Sequence, residues 1–557
     1  MKILKYFTAI ILLGACNTPQ SLDTPGVSVE SSRAIIRRDT VYLSKNVSIT
    51  PANAYSDLFT DSISVEQFIQ AGKLSAEDEK SFRSFYNYRN GQFAWFSTMG
   101  FTEQAKGFWN LQDKLEYKAD KALRSKMDTL LNMDTLAISR FDTGIIKTEL
   151  ALTNAFLQFY KTNRDKTQFA DISPEKMIPV KKENALEIAD TILSRLSDTT
   201  VLKTNAPWVL LKQKLQLYAS LARDTGWASI VFVKQIKKSA SAPSIALIKK
   251  RLQKLGEMTE ADSSTNFNDA LVMAVTHYQQ HNGMKPTGII TDTFIRSINM
   301  PAEKRLQQII INLNRMQWMP AMQDADYIAV NIPDFYLTVF ENNAKAFDIP
   351  VAVGKEGTNT TMFTGKMNQI VFSPYWNIPA SIVKREILPK IKADPNYLKK
   401  RHMEVVGKND SLPVIRQLPG KDNALGKVKF LFPNRYDIYF HDSYAKDIFS
   451  KDKRAVSHGC IRVADAEKLA NYLLRSNNSW TTQKVHEAMN AGKEQYVKLS
   501  PAMPVVITYY TAWVDETGQL NFRDDIYSND NIIAQMMFSN VLQVLPAAAK
   551  DSLLKKQ

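Results

Sequence analysis

The residues best suited to chemistry lie in the stretch Ser457-His458-Gly459-Cys460-Ile461-Arg462. Cys460 is one of only 2 cysteines in the 557 residues, and His441 lies nineteen positions before it. A cysteine and a histidine on separate elements are the minimum set for nucleophilic acyl transfer. Free cysteine also behaves as a small buried hydrophobe, so an inert core position is the plain alternative. The pair is the first candidate for a catalytic centre.

The chemistry of this pair follows from acid–base behaviour. A free thiol has a pKa of about 8.5, so a histidine within hydrogen-bond reach is needed to take its proton and later protonate a leaving amine. Gly459 removes side-chain bulk where a carbonyl must approach, and the N–H groups of Gly459 and Cys460 are predicted to form an oxyanion hole. Arg462 has two roles of equal weight, pairing with a substrate carboxylate or bracing the loop. We expect the strand ending at Phe440 to bring His441 to the sheet edge where Cys460 lies.

Metal binding is the alternative chemistry for these side chains. Four residues of zinc-ligating types occur in this region: His441, Asp442, His458 and Cys460. They lack the paired Cys-x-x-Cys or His-Glu-x-x-His spacings that typify zinc sites. His277 and His281 share a helical i, i+4 spacing, but no third ligand is near them in the sequence. The sequence therefore predicts neither a metal nor another cofactor.

The N-terminus has the form of an export signal. A basic start at residues 1–5 is followed by an apolar run at residues 6–13 and by small residues. An apolar run too short to span a bilayer is typical of a secretory signal. Leu13-Gly14-Ala15-Cys16 resembles a bacterial lipobox, in which Cys16 is lipidated, with an ordinary signal cut nearby as the alternative. No later run has the length of a transmembrane helix.

Export changes the interpretation of both the thiol and the charge. With Cys16 assigned to the signal, Cys460 has no internal disulfide partner, and an unpaired thiol in an oxidising compartment favours a functional role. We expect a body in the cell envelope that faces the periplasm and is lipid-anchored to a membrane. The formal net charge of +15 favours anionic partners. Export disfavours nucleic acid, which leaves a carboxylate-rich wall polymer or a lipid surface.

The pattern changes along the chain in a way that predicts a multidomain α+β protein. Residues 17–54 are polar and are predicted to be a flexible tether, whereas residues 55–235 have helical spacing and no catalytic set, as expected of a scaffold. Residues 240–302 form a small helical unit, followed by a linker helix at 303–325. Residues 326–514 change to a period of two, which predicts a mainly-β domain with an insertion at about 382–424. Residues 515–557 are predicted to be a tail.

The small helical unit contains a second motif, Tyr278-Gln279-Gln280-His281-Asn282-Gly283-Met284-Lys285-Pro286-Thr287-Gly288-Ile289-Ile290. It resembles the aromatic-Gln-x-x-x-Gly-hydrophobic-x-x-Thr-Gly-x-Ile signature of three-helix peptidoglycan-binding domains. A generic helical hairpin, whose glycines serve turns, is the alternative. The resemblance implies that this unit binds peptidoglycan.

The region of the catalytic candidates resembles a known enzyme family. His441, fifteen intervening residues and Ser457-His458-Gly459-Cys460-Ile461-Arg462 are similar to the signature of L,D-transpeptidases of the YkuD type, His-x(14–17)-[Ser/Thr]-His-Gly-Cys-hydrophobic-[Asn/Arg]. Three further segments resemble the YcbB-like subgroup: Ser373-Pro374-Tyr375-Trp376-Asn377-Ile378-Pro379, Asn423-Ala424-Leu425-Gly426 and Phe432-Pro433-Asn434-Arg435. The resemblance implies a helical scaffold domain, a small three-helix peptidoglycan-binding domain and a mainly-β YkuD-type catalytic domain with an inserted capping subdomain.

The same resemblance implies a reaction. Cys460 is then the nucleophile and His441 the base. The family attacks the tetrapeptide of a donor stem, releases D-alanine and forms a thioester, which an amine of an acceptor stem converts into a 3→3 cross-link. Carbapenems, a β-lactam class that this family accepts, are expected to trap the cysteine.

The resemblance also assigns expectations to neighbouring residues. In the family the backbone carbonyl at the position of Asp442 orients the imidazole, and a role for the Asp442 carboxylate is left open. Arg462 stands where Asn is commoner, although the subgroup also uses Arg. The expected substrate contacts are Arg462, His458, Ser457, Tyr375, Trp376 and Asn377.

Two other functions fit the same sequence. With water as the acceptor, the chemistry gives an L,D-carboxypeptidase that trims tetrapeptide stems. A non-catalytic peptidoglycan-binding lipoprotein needs no thiolate, and the presence of both Cys460 and His441 disfavours it.

Overall fold

A computed structural model describes the following residues: 44–112, 120–131, 138–139, 141–163, 172–194, 206–224, 226–231, 236–259, 262–319, 326–409 and 412–540. The predicted signal peptide with Cys16, most of the predicted tether and the end of the predicted tail lie outside these ranges. None of the helices in the described ranges combines the length and the apolar character that a bilayer crossing requires.

The N-terminal region is a helical scaffold. Its helices are Ser62–Gly72, Ala76–Tyr88, Glu103–Gln112, Lys121–Leu131, Thr143–Asn163, Ala185–Ser194 and Ala206–Arg223. The first two begin where the side chains of Asp61 and Ser75 accept hydrogen bonds from free backbone N–H groups. Its core contains stacked and edge-on aromatic rings, with Phe156 within 6.1 Å of both Trp95 and Trp318.

The small helical unit that contains the motif at residues 278–290 folds into three helices, Pro243–Lys254, Asp269–His281 and Asp292–Ile298. Gln279 explains the glutamine of the motif. Its side-chain oxygen accepts hydrogen bonds from the N–H groups of Thr287 (2.8 Å) and Gly288 (2.9 Å), and its amide donates to the Ile289 carbonyl (2.8 Å). Gly288 has a φ of +66°, which favours glycine. The motif thus fixes the loop between the second and third helices.

The linker helix runs from Ala302 to Gln317 and joins the domains. Its Arg315 donates hydrogen bonds to Glu103 of the scaffold (2.7 Å) and to Asp530 near the end of the described chain (2.9 Å). A charged residue that is 1% exposed is stable only when its donors are satisfied, so this network fixes three regions against each other.

The mainly-β region is built on a closed sheet. In the described ranges the strands are β1 (Phe96–Ser97), β2 (Gly100–Phe101), β3 (Tyr327–Asn331), β4 (Tyr336–Glu341), β5 (Ala344–Gly354), β6 (Phe363–Phe372), β7 (Trp376–Asn377), β8 (Met403–Asn409), β9 (Leu412–Gln417), β10 (Val428–Leu431), β11 (Phe440–His441), β12 (Ala455–Ser457), β13 (Ile461–Val463), β14 (Gln495–Thr508), β15 (Ala512–Val514) and β16 (Leu520–Phe522). Nine of them pair in the order β12-β5-β13-β11-β10-β6-β14-β3-β4, and β4 also pairs with β5. Because β5 contacts strands at both ends of this order, the sheet closes on itself around an apolar core.

The strands alternate buried and less buried side chains, as expected for a sheet with one face on a core. In β3, Ile328 and Val330 are fully buried, and in β4 so are Leu337 and Val339. The helices Ala466–Leu474 and Thr482–Asn490 cover the sheet. The period-two pattern of the sequence therefore reflects the burial of one face of the sheet against the core.

The insertion in the sheet is a small subdomain, hereafter the cap. It contains the three-stranded sheet β7-β9-β8 and the short helical segments Ala380–Ile382, Val383–Ile387, Leu388–Ala393 and Tyr397–Lys400. A separate small core, with Val383, Ile387 and Ile415 fully buried, holds it together. The cap begins at β7, six residues before the predicted start at 382, because Trp376 and Asn377 pair with β9.

Two predicted irregular segments belong to the folded body instead. Residues 44–54 were expected to be tether, but Ile49 and Ala54 are buried, and Ala54 pairs with Lys181. The predicted tail contains β16 and the helix Asn529–Met537. The apolar side of this helix packs in the same hydrophobic core as the linker helix. Arg523 also donates to Asp334 (2.7 Å) and to the His281 carbonyl (3.0 Å), so this segment connects the catalytic and peptidoglycan-binding regions.

Candidate active site

His441 and Cys460 are brought together by two neighbouring strands. β11 pairs in parallel with β13, with Phe440 opposite Ile461 and His441 opposite Arg462. The strand that was predicted to end at Phe440 instead begins there and includes His441, because the chain turns at Asp437, whose φ is +52°. Cys460 immediately precedes β13. Both side chains line one large groove of about 1830 Å³ between the sheet, the cap and the scaffold.

The His441 ring is oriented by the backbone. Its Nδ1 lies 2.6 Å from the Asp442 carbonyl oxygen. Since a carbonyl only accepts, Nδ1 carries the proton and Nε2 is left as the basic nitrogen. Burial, and secondly the positive charge of Arg462, lower the pKa of His441 to about 4. The imidazole is therefore neutral and able to accept a proton at physiological pH.

The Asp442 carboxylate is engaged away from the ring. It accepts hydrogen bonds from the Lys446 Nζ (2.5 Å) and from the Lys427 N–H (2.9 Å). Gly426 has a φ of +65°, and a Cβ there would collide with this carboxylate. Asp442 thus serves His441 through its main-chain carbonyl, and its side chain braces the loop before β10.

The Cys460 thiol is protonated in this conformation. Its Sγ donates to the Asp437 carbonyl at 3.6 Å, and no hydrogen bond between Sγ and His441 is present in the described part of the chain. Burial raises the pKa of Cys460 to about 11, against the opposing effect of hydrogen bonds from Tyr439. The thiolate is therefore disfavoured while Sγ makes this contact.

The loop before Cys460 is held by its own serine. Ser457 Oγ donates to the Cys460 carbonyl (2.5 Å) and accepts from the Gly459 N–H (3.1 Å). Gly459 adopts a φ of +114°, a conformation that side chains disfavour, and its carbonyl accepts from Thr360 Oγ1 (2.7 Å). The predicted oxyanion hole needs correction, because the Gly459 N–H is already occupied. The Cys460 N–H is the other donor of that predicted pair. Ser457, expected to contact substrate, is 2% exposed and lies among the residues that line the groove, and both hydrogen bonds of its Oγ are made within the loop.

Arg462 lines the groove beside the pair. Its Nε is buried and has no hydrogen-bond partner within the described chain. Burial lowers the pKa of Arg462. One of the two roles predicted for Arg462 was to brace the loop, and within the described residues its Nε makes no contact of that kind.

The other predicted substrate contacts separate into two groups. His458 lies at the groove, where its Nε2 is 2.7 Å from Glu386 Oε1 of the cap. Trp376 and Asn377 also line the groove from β7. Tyr375 is not among the described groove residues, and its ring is covered by the Arg416 guanidinium at 4.3 Å.

Several site residues escaped the sequence reasoning. The Tyr439 ring lies 5.8 Å from the His441 ring. Strand alternation offered a signal for it, since it lies two residues before His441. The Tyr527 hydroxyl donates to the Gly354 carbonyl (2.5 Å) and accepts from the Thr360 N–H (3.3 Å), which supports the residue that holds Gly459. No local signal marks Tyr527, because it is distant in sequence.

The described ranges contain no group of three or more His, Cys, Asp or Glu side chains able to hold a metal ion. His281 contacts Glu257 at 3.1 Å, and its ring is 6.4 Å from that of His277. The site is thus described by its protein groups alone.

Comparison with known families gives three matches along the chain. Residues 325–507 match the L,D-transpeptidase catalytic domain family YkuD, residues 80–209 match a scaffold domain, and residues 241–298 match the family described as "Putative peptidoglycan binding domain". Cys460 and His441 both lie within the first match.

Individual relatives carry related names. A Haemophilus influenzae protein named "Putative L,D-transpeptidase" is 30% identical over 243 residues, which cover 41% of this chain and 49% of the relative. The chain thus spans about half the length of that relative. Among solved structures, an L,D-transpeptidase from Stackebrandtia nassauensis is 11% identical, covering 50% of this chain and 97% of that one, with a TM-score of 0.22. L,D-transpeptidase 3 from Mycobacterium tuberculosis, in complex with a faropenem-derived adduct, is 13% identical, covering 33% and 60%, with a TM-score of 0.18.

Proposed function

Because the chain contains a YkuD L,D-transpeptidase catalytic domain beside a peptidoglycan-binding domain, we propose that it is a cysteine L,D-transpeptidase that forms 3→3 cross-links between peptidoglycan stem peptides. One observation carries the proposal. A neutral, backbone-oriented histidine on β11 and a cysteine immediately before the adjacent strand β13 line one groove.

The first half-reaction is acylation. Sγ of Cys460 attacks the carbonyl of the third stem residue while its proton passes to Nε2 of His441. The carbon–nitrogen bond to the terminal D-alanine breaks, and His441 returns the proton to the leaving amine. We assign stabilisation of the oxyanion to the Cys460 N–H. The product is a thioester on Cys460 and free D-alanine.

The second half-reaction transfers the acyl group. An amine of a second stem attacks the thioester carbonyl, the carbon–sulfur bond breaks, and a new amide bond forms. The proton lost by the amine passes through His441 to the sulfur. The groove extends from the cap to the scaffold, so its size supports occupancy by both donor and acceptor.

The deciding experiment incubates the purified protein with a tetrapeptide stem, with and without an acceptor amine, and identifies the products by mass spectrometry. We expect D-alanine release and a cross-linked dimer when the acceptor is present. A tripeptide as the sole product in both reactions would establish a carboxypeptidase instead. Absence of any D-alanine release, with intact binding to sacculi, would leave only a wall-binding protein.

Inhibitor trapping tests the nucleophile separately. A carbapenem is an activated acyl donor, so the attacking thiol is expected to open its ring and retain it as a thioester. Intact-mass analysis after incubation should show one adduct, and peptide mapping should place it on Cys460. An adduct elsewhere, or none, contradicts this assignment.

The proposed location rests on the N-terminal sequence. Lipidation of Cys16 would tether the enzyme in the cell envelope, with its body facing the periplasm and its substrate. Membrane fractionation of cells that express the wild type and Cys16→Ala tests this. The wild type is expected in the membrane fraction and the variant outside it, and equal distribution of the two would contradict the anchor.

A further inference from the structure

The peptide group between Gly459 and Cys460 is held at its carbonyl by Thr360. The Thr360 Oγ1 donates to the Gly459 carbonyl (2.7 Å) and accepts a hydrogen bond from the Gly354 N–H (2.9 Å). Because an N–H group can only donate, the hydroxyl proton of Thr360 is left for the Gly459 carbonyl. Thr360 is buried, so water competes little for this bond.

The other end of the same peptide group is the Cys460 N–H. This peptide is trans, and the carbonyl and N–H of a trans peptide point in opposite directions. A bond that holds the Gly459 carbonyl therefore also sets the direction of the Cys460 N–H. It further polarises the peptide group, which makes the N–H a stronger donor. Among the described residues the Cys460 N–H has no acceptor, so it is available to an oxyanion.

Thr360 is itself held by a residue from the C-terminal segment. The Tyr527 hydroxyl accepts from the Thr360 N–H (3.3 Å) and donates to the Gly354 carbonyl (2.5 Å), so it bridges both residues. The Tyr527 N–H donates to the Tyr509 hydroxyl (2.9 Å), and the Tyr509 carbonyl accepts from Arg315 of the linker helix (2.7 Å). These contacts connect the linker helix to the residue that holds the catalytic loop.

We propose that Thr360 and Tyr527 are positioning residues for acylation: Thr360 directs the Cys460 N–H toward the oxygen that becomes the oxyanion, and Tyr527 holds Thr360 in place. This inference rests on the first half-reaction of the proposed function. Tyr527 lies beyond residue 507, where the match to the catalytic domain family ends, so a segment outside that match completes the site. Both side chains act through the peptide group and need no contact with the substrate.

The test separates attack on a carbonyl from the reactivity of the thiol. With the full-length protein, acylation is measured as D-alanine release from a tetrapeptide, and alkylation by iodoacetamide is located at Cys460 by peptide mapping. Alkylation displaces iodide from a saturated carbon and forms no oxyanion, so it requires the thiol but not the Cys460 N–H. Thr360→Val keeps the shape and removes the hydroxyl.

We expect Thr360→Val to lower kcat roughly 10- to 100-fold, which is less than the factor of about 10²–10³ for loss of a whole oxyanion donor. KM and the rate of alkylation should remain near those of the wild type. Thr360→Ser keeps the donor and should restore most of kcat. Thr508→Val is the matched control, since the buried Thr508 hydroxyl also donates to a backbone carbonyl, that of Val330 (3.3 Å), and its kcat should not change.

Tyr527→Phe tests the second half of the inference. It removes one hydroxyl and should lower kcat roughly 2- to 10-fold, as for loss of one neutral hydrogen bond, again without slowing alkylation. The double variant with Thr360→Val should be no slower than Thr360→Val alone, because both changes act on one peptide group. Two independent structural defects would multiply instead.

The failure of this inference is distinct from that of the proposed function. An unchanged kcat in Thr360→Val, an equal loss of acylation and alkylation, a Thr360→Ser variant as slow as Thr360→Val, or multiplied losses in the double variant would overturn the positioning role while the wild type still released D-alanine. If Thr360→Val does not fold, the ratio of acylation to alkylation in Tyr527→Phe decides. Absence of release by the wild type would overturn the proposed function itself, and this inference with it.

Discussion

Two arginines of this protein, the buried Arg315 and the partly buried Arg462, have opposite surroundings. Arg315, in the linker helix, donates to Glu103, to Asp530 and to the Tyr509 carbonyl at 2.7 to 2.9 Å. The nearby carboxylates outweigh burial and raise the pKa of Arg315. Arg462 has a partnerless buried Nε, and burial lowers its pKa. The same side chain is thus satisfied by the fold in one place and left open in the other.

The difference separates a charge that holds the domains together from a charge whose Nε the fold leaves without a partner. A closed network contributes to folding, and removal of one of its members leaves the others buried and unpaired. Removal of Arg462 breaks no hydrogen bond of its Nε. We therefore predict that stability and activity depend on different charged residues.

The largest effect on activity is expected from removal of the proposed nucleophile. Cys460→Ala removes the nucleophile, so D-alanine release from the tetrapeptide should fall below detection, whereas the midpoint of thermal unfolding should change little. Binding to purified sacculi is the matched control, since the peptidoglycan-binding domain is untouched. Residual release equal to the wild type would exclude the cysteine mechanism.

Removal of each arginine in turn tests most directly whether the two residues differ in their contribution to stability. Arg315→Met leaves Glu103 and Asp530 uncompensated and should destabilise the protein by about 3–5 kcal/mol, as for a buried pair that loses one partner. Arg462→Met should not lower stability, because no intramolecular bond of its Nε is lost. Urea unfolding followed by tryptophan fluorescence measures both. A larger loss in Arg462→Met than in Arg315→Met would contradict the distinction.

The pH dependence of kcat/KM tests the effect of the Arg462 charge on His441. His441 must be neutral to act as a base, and its pKa of about 4 places the acid limb of kcat/KM there rather than near the ordinary value of about 6.5. Activity should persist down to that limb and fall below it. In Arg462→Gln one of the two causes of the lowered pKa is gone, so the limb should move to higher pH. An acid limb near 6.5 in the wild type would contradict the assignment.

The sequence predicted the chemistry of the site better than its supports. Cys460 and His441 were identified because the motif and its spacing are local. The occupied Gly459 N–H and the orientation of the Asp442 carboxylate depend on backbone torsions that residue types do not specify. Tyr527 lies in a segment that was predicted to be a tail. Its contact with Gly354 could not be predicted because the two residues are 173 positions apart in the sequence.

The same limit applies to the fold. Period-two runs indicated the strands, and helical spacing indicated the scaffold, because both reflect burial on one face. The polar segment 44–54 appeared unstructured, yet Ile49 and Ala54 are buried against partners far along the chain. Polar composition predicts exposure only where no distant surface is available to cover the few apolar residues.

The smallest effect on activity is expected from an exposed ion pair, which is neither a closed buried network nor an unpaired charge. His458 and Glu386 are 2.7 Å apart, with side chains 39% and 40% exposed, and they join the loop of Cys460 to the cap. Water screens such a pair, so its contribution is about 0.2–1 kcal/mol, a change of roughly 1.5- to 5-fold in an equilibrium. Glu386→Gln should therefore raise KM within that range and leave kcat unchanged, because the cap lines the groove but does not touch the reacting atoms.

A matched variant in the cap isolates this contact. Glu404 pairs with Arg416 at 2.5 Å with similar exposure, but both residues lie within the cap. Glu404→Gln should leave KM for the tetrapeptide unchanged, and the thermal midpoints of the two variants should agree. An equal rise of KM in both variants would attribute the effect to the cap's own stability, whereas a rise confined to Glu386→Gln indicates that even a weak, exposed pair directs substrate binding when it joins the cap to the loop of Cys460.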